Sequence, residues 1–322
     1  MKILVTGGAG FIGSNFIHYL LRKYPDYEVI NLDKLTYAGN LENLRDIEKD
    51  TRYHFIQGDI TDNNAVDPIF KTGIDVIVNY AAETHVDRSI TGPKDFLETD
   101  VFGTFTLLEA ARKYGIQKYI QISTDEVYGS IETGKFTETS PFLPNSPYSA
   151  SKAGGDHLCR AYHITYGLPI IVTHSCNVYG PYQYPEKVIP LFVTNLLRGK
   201  KVPLYGDGEN IREWLFTEDH CLAIDLIIHQ GKAGEVYNIG SGHEITNKQL
   251  TTLILKAFNA EEDQIEYVPD RLGHDRRYAI DFSKLSHDLG YSPQYTFEET
   301  LRQTITWYKN NNQWWEPLLI NP

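Results

Sequence analysis

Five residues near the middle of the chain have the types and spacing to move protons: Thr124, Asp125 and Glu126 in one run, and Tyr148 and Lys152 in YSASK. On a helix, four residues rise about 6 Å and return to the same face, so the Tyr148 phenol and the Lys152 ammonium are neighbours. A nearby ammonium favours phenolate and lowers a tyrosine pKa from about 10 towards neutrality, which would make Tyr148 a usable acid and base. The Thr124 hydroxyl could bond a substrate oxygen. Asp125 and Glu126 add two carboxyl groups, able to act as acid and base where their surroundings separate their pKa values. Taken singly, a tyrosine and a lysine at this spacing also suit a solvated helix face, and two acids at a strand end also suit a loop.

A second set of residues could hold the group that such chemistry serves. MKILVTGGAGFIG reads as an apolar strand, a glycine turn and the start of an amphipathic helix. Gly8, Gly10 and Gly13 fit G-x-G-x-x-G, and Gly7 adds a further glycine. With Phe11 and Ile12 between them, these glycines let the backbone approach a pyrophosphate at the positive end of the helix. A second strand, Glu28–Leu32, ends at Asp33, about 20 residues beyond Gly13, as the dinucleotide fingerprint requires. A carboxylate there accepts hydrogen bonds from a ribose diol and repels a 2′-phosphate. Lys34 is the only adjacent cation, so the sequence predicts NAD over NADP. Asp59-Ile60 could hold the adenine, and Ala81-Ala82-Glu83 would flank the cofactor.

The elements that must position these residues follow in order. Strand-like runs at Tyr53–Gln57, Val76–Asn79, Tyr119–Ile122 and Ile170–Thr173 alternate with helical ones at Ser14–Tyr24, Leu41–Lys49, Pro93–Tyr114 and Tyr148–Tyr166. Repeated βα units predict a doubly wound parallel sheet of the Rossmann type. Pro68 should leave Asp62–Lys71 a short or broken helix. After about Gly180 the rhythm is lost, and helices at Val188–Arg198, Asp219–His229, Asn247–Phe258 and Phe297–Asn310 stand between long loops. We expect an NAD-binding domain over residues 1–180 and a smaller mixed α/β substrate domain over 181–322, with a soft boundary that the chain can cross more than once.

Composition narrows the function. Of 322 residues, 41% are hydrophobic and 22% charged, as in a soluble globular protein. A net charge of -12 argues against a nucleic-acid surface. There is no apolar run of membrane-spanning length and no signal peptide, so a cytoplasmic protein is expected. Cys159, Cys176 and Cys221 form no C-x-x-C pair, and the histidines no H-E-x-x-H pair, so neither a disulfide framework nor a metal site is predicted.

Over essentially its whole length the chain resembles the extended short-chain dehydrogenase/reductase family, in TGGAGFIG, NYAAETHVDRS, ISTDEVYG, YSASKAGGD, NVYGPYQYPEK, REWLFTEDH and RLGHDRRY. Within it, Thr124-Asp125-Glu126 is similar to the branch that dehydrates nucleotide sugars, since epimerases of the family usually carry small or neutral residues after the Ser/Thr. The resemblance implies a dTDP-glucose substrate and a three-step reaction. Tyr148 takes the 4-hydroxyl proton as hydride leaves C4 for NAD+, helped by Lys152 and Thr124. Glu126 removes the C5 proton while Asp125 protonates the departing C6 hydroxyl, and hydride returns to C6. It further implies that Asn177, Lys187, Arg212, Asn247 and Arg271 hold the nucleotide diphosphate, that Tyr205 stacks on the base, and that Glu83, His85, Thr124 and His274 lie on the substrate side. Leu272 departs from the family pattern, which has proline there. A homodimer is also implied, through a four-helix interface of Pro93–Tyr114 and Tyr148–Tyr166, for which Phe102, Phe105 and Leu108 are apolar enough. Two other functions remain open at this point: a nucleotide-sugar 4-epimerase, and a dinucleotide-sensing module that has lost its chemistry.

Overall fold

Uninterrupted runs of aliphatic residues pack well only where both faces of a strand are covered, and here they assemble into a parallel sheet wrapped by helices. The computed structural model describes residues 1–270 and 273–320. In chain order its first half contains β1 (Lys2–Thr6), α1 (Phe11–Lys23), β2 (Glu28–Asp33), β3 (Tyr53–Gln57), α2 (Asn63–Phe70), β4 (Val76–Asn79), α3 (Val86–Thr91), α4 (Pro93–Phe96), α5 (Thr104–Tyr114), β5 (Lys118–Thr124), α6 (Pro147–Tyr166) and β6 (Ile170–Ser175). There follow β7 (Asn177–Tyr179), α7 (Val188–Leu197), β8 (Val202–Tyr205), β9 (Ile211–Phe216), α8 (Thr217–Gln230), β10 (Val236–Ile239), β11 (Glu244–Thr246), α9 (Asn247–Ala257), β12 (Ile265–Val268), α10 (Ser283–Leu289), α11 (Phe297–Asn310) and α12 (Asn312–Ile320).

The main sheet has seven strands in the order β10-β6-β5-β4-β1-β2-β3, all paired in parallel. The strand order reverses at β1 and β4, and the crevice outside the strand ends there is where doubly wound sheets bind ligands. Alternate residues of each strand feed two cores. Ile3, Val5 and Val78 pack with Phe16, Ile17 and Ile224 on one face, while Leu4, Ile30 and Ile77 pack with Ile69, Leu107 and Leu108 on the other. A third core, around Phe192, Trp214, Leu250 and Leu301, sits beneath a mixed sheet, β11-β9-β7, and a parallel pair, β12-β8.

Several elements differ from the sequence reading. Helix α1 begins at Phe11, not Ser14, because Gly10 caps it with backbone alone. Leu41–Ile47 winds as a 3₁₀ helix, held by the Asn40 side chain on Glu42 N–H and by Asn43 on the Ala9 carbonyl. α2 is short but unbroken despite Pro68. The sheet takes a seventh strand, β10, from residues beyond 180, a short run hidden among loops. Leu108 is fully buried in the core and cannot form an outer surface, whereas Phe102 and Phe105 are exposed.

The segment expected as one helix over Pro93–Tyr114 contains a wide π-helical turn, Leu97–Gly103, between α4 and α5. That turn carries Asp100 into the protein against α6, where Ser151 Oγ donates to Asp100 Oδ2 at 2.6 Å. Burial first of all pushes the Asp100 carboxyl up to about 7, against the pull of Lys152 and Ser151. Below about pH 4 the folded and unfolded chains both hold this proton; between about 4 and 7 only the folded chain does, so stability falls as pH rises through that window. A displacement of about 3 units corresponds to a cost of about 4 kcal/mol once Asp100 is ionised. Setting aside about 2 kcal/mol for an amide N–H left without a partner, Asp100→Asn should be more stable than the parent by about 2 kcal/mol at pH 8. Denaturant unfolding at pH 5 and pH 8 checks this, and the advantage should vanish at the lower pH.

Candidate active site

The glycine turn brings backbone where a side chain would block it. Gly7 has φ +64°, and a Cβ there would lie 2.7 Å from the Ala81 nitrogen; one on Gly13 would lie 2.5 Å from the Gly7 oxygen. No side chain caps α1, so its first N–H groups point into the crevice as an anion site. At the end of β2, Asp33 accepts from Ala9 N–H at 2.9 Å and Leu35 N–H at 2.8 Å, which orients the carboxylate and leaves lone pairs for a diol. Lys34 is held by Asp59 at 2.7 Å. A 2′-phosphate beside Asp33 would therefore meet a cation already engaged. NAD should bind at least about tenfold more tightly than NADP, since unpaired like charges cost several kcal/mol. A fluorescence titration with each cofactor checks this, and equal affinities would remove Asp33 from the ribose.

One cavity is lined by the residues expected at the cofactor other than Gly8, which packs against Asn31 and Ile17; these are Gly7, Gly10, Phe11, Ile12, Gly13, Asp33, Lys34, Asp59, Ile60, Ala81 and Ala82. The same cavity is lined by Thr124, Asp125, Glu126, Tyr148 and Lys152. β5 ends at Thr124 and delivers the acids, while α6 carries Tyr148 and Lys152 in its first turns behind a Ser146 cap that is reciprocated by Ser149. Lys152 Nζ donates to the Ile122 carbonyl at 2.8 Å, which ties α6 to β5.

The electrostatics correct one expectation. The Tyr148 phenol is displaced upwards, not towards neutrality: burial acts first, then the negative charges of Glu126 and Asp100, and the nearby Thr124 hydroxyl only partly opposes them. Asp125 is 2% exposed and its carboxyl is also pushed well up, by burial and then by Glu126 and Glu213. Glu126 is half-buried and meets Tyr278 Oη at 3.4 Å. Two adjacent acids thus sit in different surroundings, with Asp125 favoured in its protonated form.

On the substrate side, Glu83, Asn177 and Lys187 line the same cavity, with Lys187 Nζ donating to the Thr84 carbonyl at 2.7 Å. His85, Tyr205, Arg212, Asn247 and His274 do not line it. His85 caps α3 and lies 3.7 Å from Glu186. Tyr205 and His274 meet edge to face at 6.2 Å, and Asn247 opens α9. Arg212 stacks over the Tyr278 ring at 4.3 Å and donates to the Asp275 carbonyl at 2.9 Å. Arg271 and Leu272 lie outside the described residues.

Tyr278 is the residue that sequence reading missed. Its hydroxyl donates to Asp275 at 2.7 Å and reaches Glu126, so it joins the Arg212 cluster to the acids. It closes the RLGHDRRY segment, where the histidine and arginines drew attention first. Ser175, Gln183 and His220 also line the cavity unannounced. Ser175 Oγ, Asn177 Oδ1, Gln183 Oε1 and both His220 ring nitrogens are buried without a hydrogen-bond partner among the described residues. Buried polar atoms are nearly always satisfied, so this concentration marks a wall made to meet a polar ligand. Burial lowers the His220 pKa to about 3, so it meets that ligand as a neutral imidazole.

The fold and the cavity have counterparts in known proteins. The family described as GDP-mannose 4,6 dehydratase matches residues 4–304. A dTDP-glucose 4,6-dehydratase of Streptomyces antibioticus is 53% identical over 100% of this chain and 96% of its own. The crystal structure of DesIV, a dTDP-glucose 4,6-dehydratase from Streptomyces venezuelae with NAD bound, superposes with a TM-score of 0.97 at 54% identity, covering 99% of this chain and all of that one. A UDP-glucose 4-epimerase from Thermotoga maritima superposes with a TM-score of 0.90 at 33% identity over 97% of this chain and all of its own.

Proposed function

The chain belongs to the GDP-mannose 4,6 dehydratase family, and from that premise we propose that it is an NAD-dependent enzyme converting dTDP-glucose to dTDP-4-keto-6-deoxyglucose and water, in deoxysugar biosynthesis such as the route to dTDP-rhamnose. The observation that carries the reaction is the buried Asp125 beside Glu126 and Tyr148, because oxidation at C4 alone would need neither acid.

The glycine turn, the uncapped start of α1, Asp33 and the unpartnered polar wall fit a dinucleotide. Gly7, Gly10, Gly13 and Asp33 would hold NAD, which would supply reversible hydride transfer between C4 and C6 of the sugar. Tyr148 takes the proton of the 4-hydroxyl. Its raised pKa favours the neutral phenol, so Tyr148 must give up its own proton before it can act as base, and Thr124 and Lys152 hold the developing oxyanion. The C5 proton, acidified by the new ketone, passes to Glu126. Asp125, kept protonated by burial, donates to the departing C6 hydroxyl. Asn177, Lys187, Arg212, Asn247, Arg271 and Tyr205 are assigned to the nucleotide, with Glu83, His85 and His274 alongside. Residues 1–180 serve mainly the cofactor and 181–322 mainly the nucleotide sugar.

Phe102 and Phe105 are exposed, as are Leu97, Ile164 and Tyr166 on the same helices. This supports a homodimer formed through the Pro93–Tyr114 and Tyr148–Tyr166 segments, and a solution mass of one chain would remove it. No helix among the described residues is long and apolar enough to cross a membrane, and we place the protein in the cytoplasm.

Incubation with dTDP-glucose tests the assignment. A 4-keto-6-deoxy sugar nucleotide is expected to accumulate, whereas a 4-epimerase would release no ketone and a sensing module nothing at all.

A further inference from the structure

A buried row of polar side chains runs behind the reacting residues, and its hydrogens can be counted. His174 on β6 stands in register between Ser123 on β5 and Asn238 on β10, and Asp156 reaches them from α6. All four are buried, as is Tyr128, which follows Glu126 by two residues. The Asn238 amide donates to the carbonyls of Phe136 at 3.2 Å and Asp281 at 3.1 Å, which turns its Oδ1 towards Tyr128 Oη at 2.9 Å. Tyr128 must donate there, because an amide oxygen only accepts. The phenol oxygen then faces His174 Nδ1 at 2.7 Å as an acceptor, so Nδ1 carries a hydrogen.

The other ring nitrogen, Nε2, lies 3.2 Å from Asp156 Oδ2, which also accepts from Ser123 Oγ at 2.7 Å. A neutral imidazole with its hydrogen on Nδ1 would set a lone pair against a carboxylate here, out of reach of water. The contact therefore holds one more proton, either on the ring or on the carboxyl group. With the proton in either place the pair carries no net charge.

That neutrality matters one turn away. Tyr148, Lys152 and Asp156 follow at intervals of four on one face of α6, so Lys152 has the phenol on one side and the carboxyl group on the other. Lys152 is 4% exposed, and its ammonium donates to the Ile122 carbonyl at 2.8 Å. Asp156 Oδ1 has no hydrogen-bond partner among the described residues, so the lysine has not turned to it. A carboxylate left uncompensated at that position would draw the lysine away from Tyr148, since opposite charges attract strongly where water is excluded.

We infer that His174 is a positioning residue for the Tyr148–Lys152 pair. The proton it holds with Asp156 cancels that carboxylate, which keeps the Lys152 ammonium on the phenol and on the oxyanion that develops from the 4-hydroxyl. The effect on turnover rests on the dehydratase reading, whereas the proton count does not.

Steady-state kinetics of the NAD-loaded enzyme with dTDP-glucose test the role. His174→Gln, which keeps a polar side chain but cannot hold the proton, should lower kcat by about tenfold or more, the equivalent of about one pK unit of misplaced charge, with KM within about twofold of the parent. His174→Gln combined with Asp156→Asn leaves no charge to cancel and should bring kcat back to within about threefold of the parent, a coupling that independent sites would not show. Should the single variant fail to fold, the double variant should restore folding as well. A double variant as impaired as the single one, or a single variant with parental kcat, would overturn the role of His174. NMR of the wild type with isotope-labelled histidine supplies a second readout near neutral pH. It should show a hydrogen on Nδ1 and a further, downfield proton in the Nε2 contact, and a ring with its only hydrogen on Nε2 would overturn the count. Absence of any 4-keto product from wild type would instead overturn the dehydratase reading and leave the proton count standing.

Discussion

Tyr148→Phe is expected to lower turnover by about 10²–10⁴-fold, the usual loss when a positioned acid or base is removed. The change deletes one hydroxyl and no charge used for binding, and the ring keeps its edge-to-face position 6.2 Å from Phe96. Cofactor and dTDP-glucose should therefore still bind with affinities close to those of the parent, as judged by calorimetry. The defect should fall on the first chemical step, since the 4-hydroxyl then has no base. The upward displacement of the phenol adds a pH signature. Activity of the parent should rise with pH as Tyr148 loses its proton and fall again as Asp125 does, because burial and neighbouring carboxylates push both groups up. Near-normal turnover in the variant would transfer the role of base to another residue.

Asp125→Asn combined with Glu126→Gln is expected to separate oxidation from elimination. Both changes keep size and hydrogen-bonding shape but cannot exchange protons. One Asp125 oxygen has no partner among the described residues, and a glutamine at 126 can still accept from the Tyr278 hydroxyl. With substrate deuterated at C4, the parent should deliver the label to C6 of its product. The double variant should deliver none, although oxidation at C4 remains possible through Tyr148 and Lys152. Each missing proton-transfer group is worth about 10²-fold or more, so transfer of deuterium to C6 at close to the parental rate would reduce Asp125 and Glu126 to ordinary loop acids.

Much of this site was legible because its parts are local. Gly7, Gly10 and Gly13 are read from the need for close backbone approach, and that need shows in the short distances a Cβ would make. Asp33 is found by counting along a βα unit, and Tyr148 with Lys152 by helical spacing. Strand ends lie at one edge of a parallel sheet by construction, so Asp33, Asp59, Ala81 and Thr124 were bound to come together once β2, β3, β4 and β5 were found.

What needed the tertiary structure was every property set by residues far apart in the chain. Tyr278 meets Glu126 across 152 positions. The direction of the Tyr148 pKa was misjudged from its near neighbour Lys152, because burial and the carboxylates of Glu126 and Asp100 outweigh one ammonium. Leu108 and Phe105 stand on one helix, yet one faces the core and the other the surface, and only packing against the sheet chose between them. The strand β10 was lost among loops because four residues carry too little periodicity to be seen. Spacing and turn chemistry are written in neighbouring residues, and the sequence by itself determined the glycine loop, the parallel sheet and the candidates for the reacting residues. Burial and charge fields sum over the whole fold, and so only the packed structure decided which acid keeps its proton and which side chain links the two halves of the site.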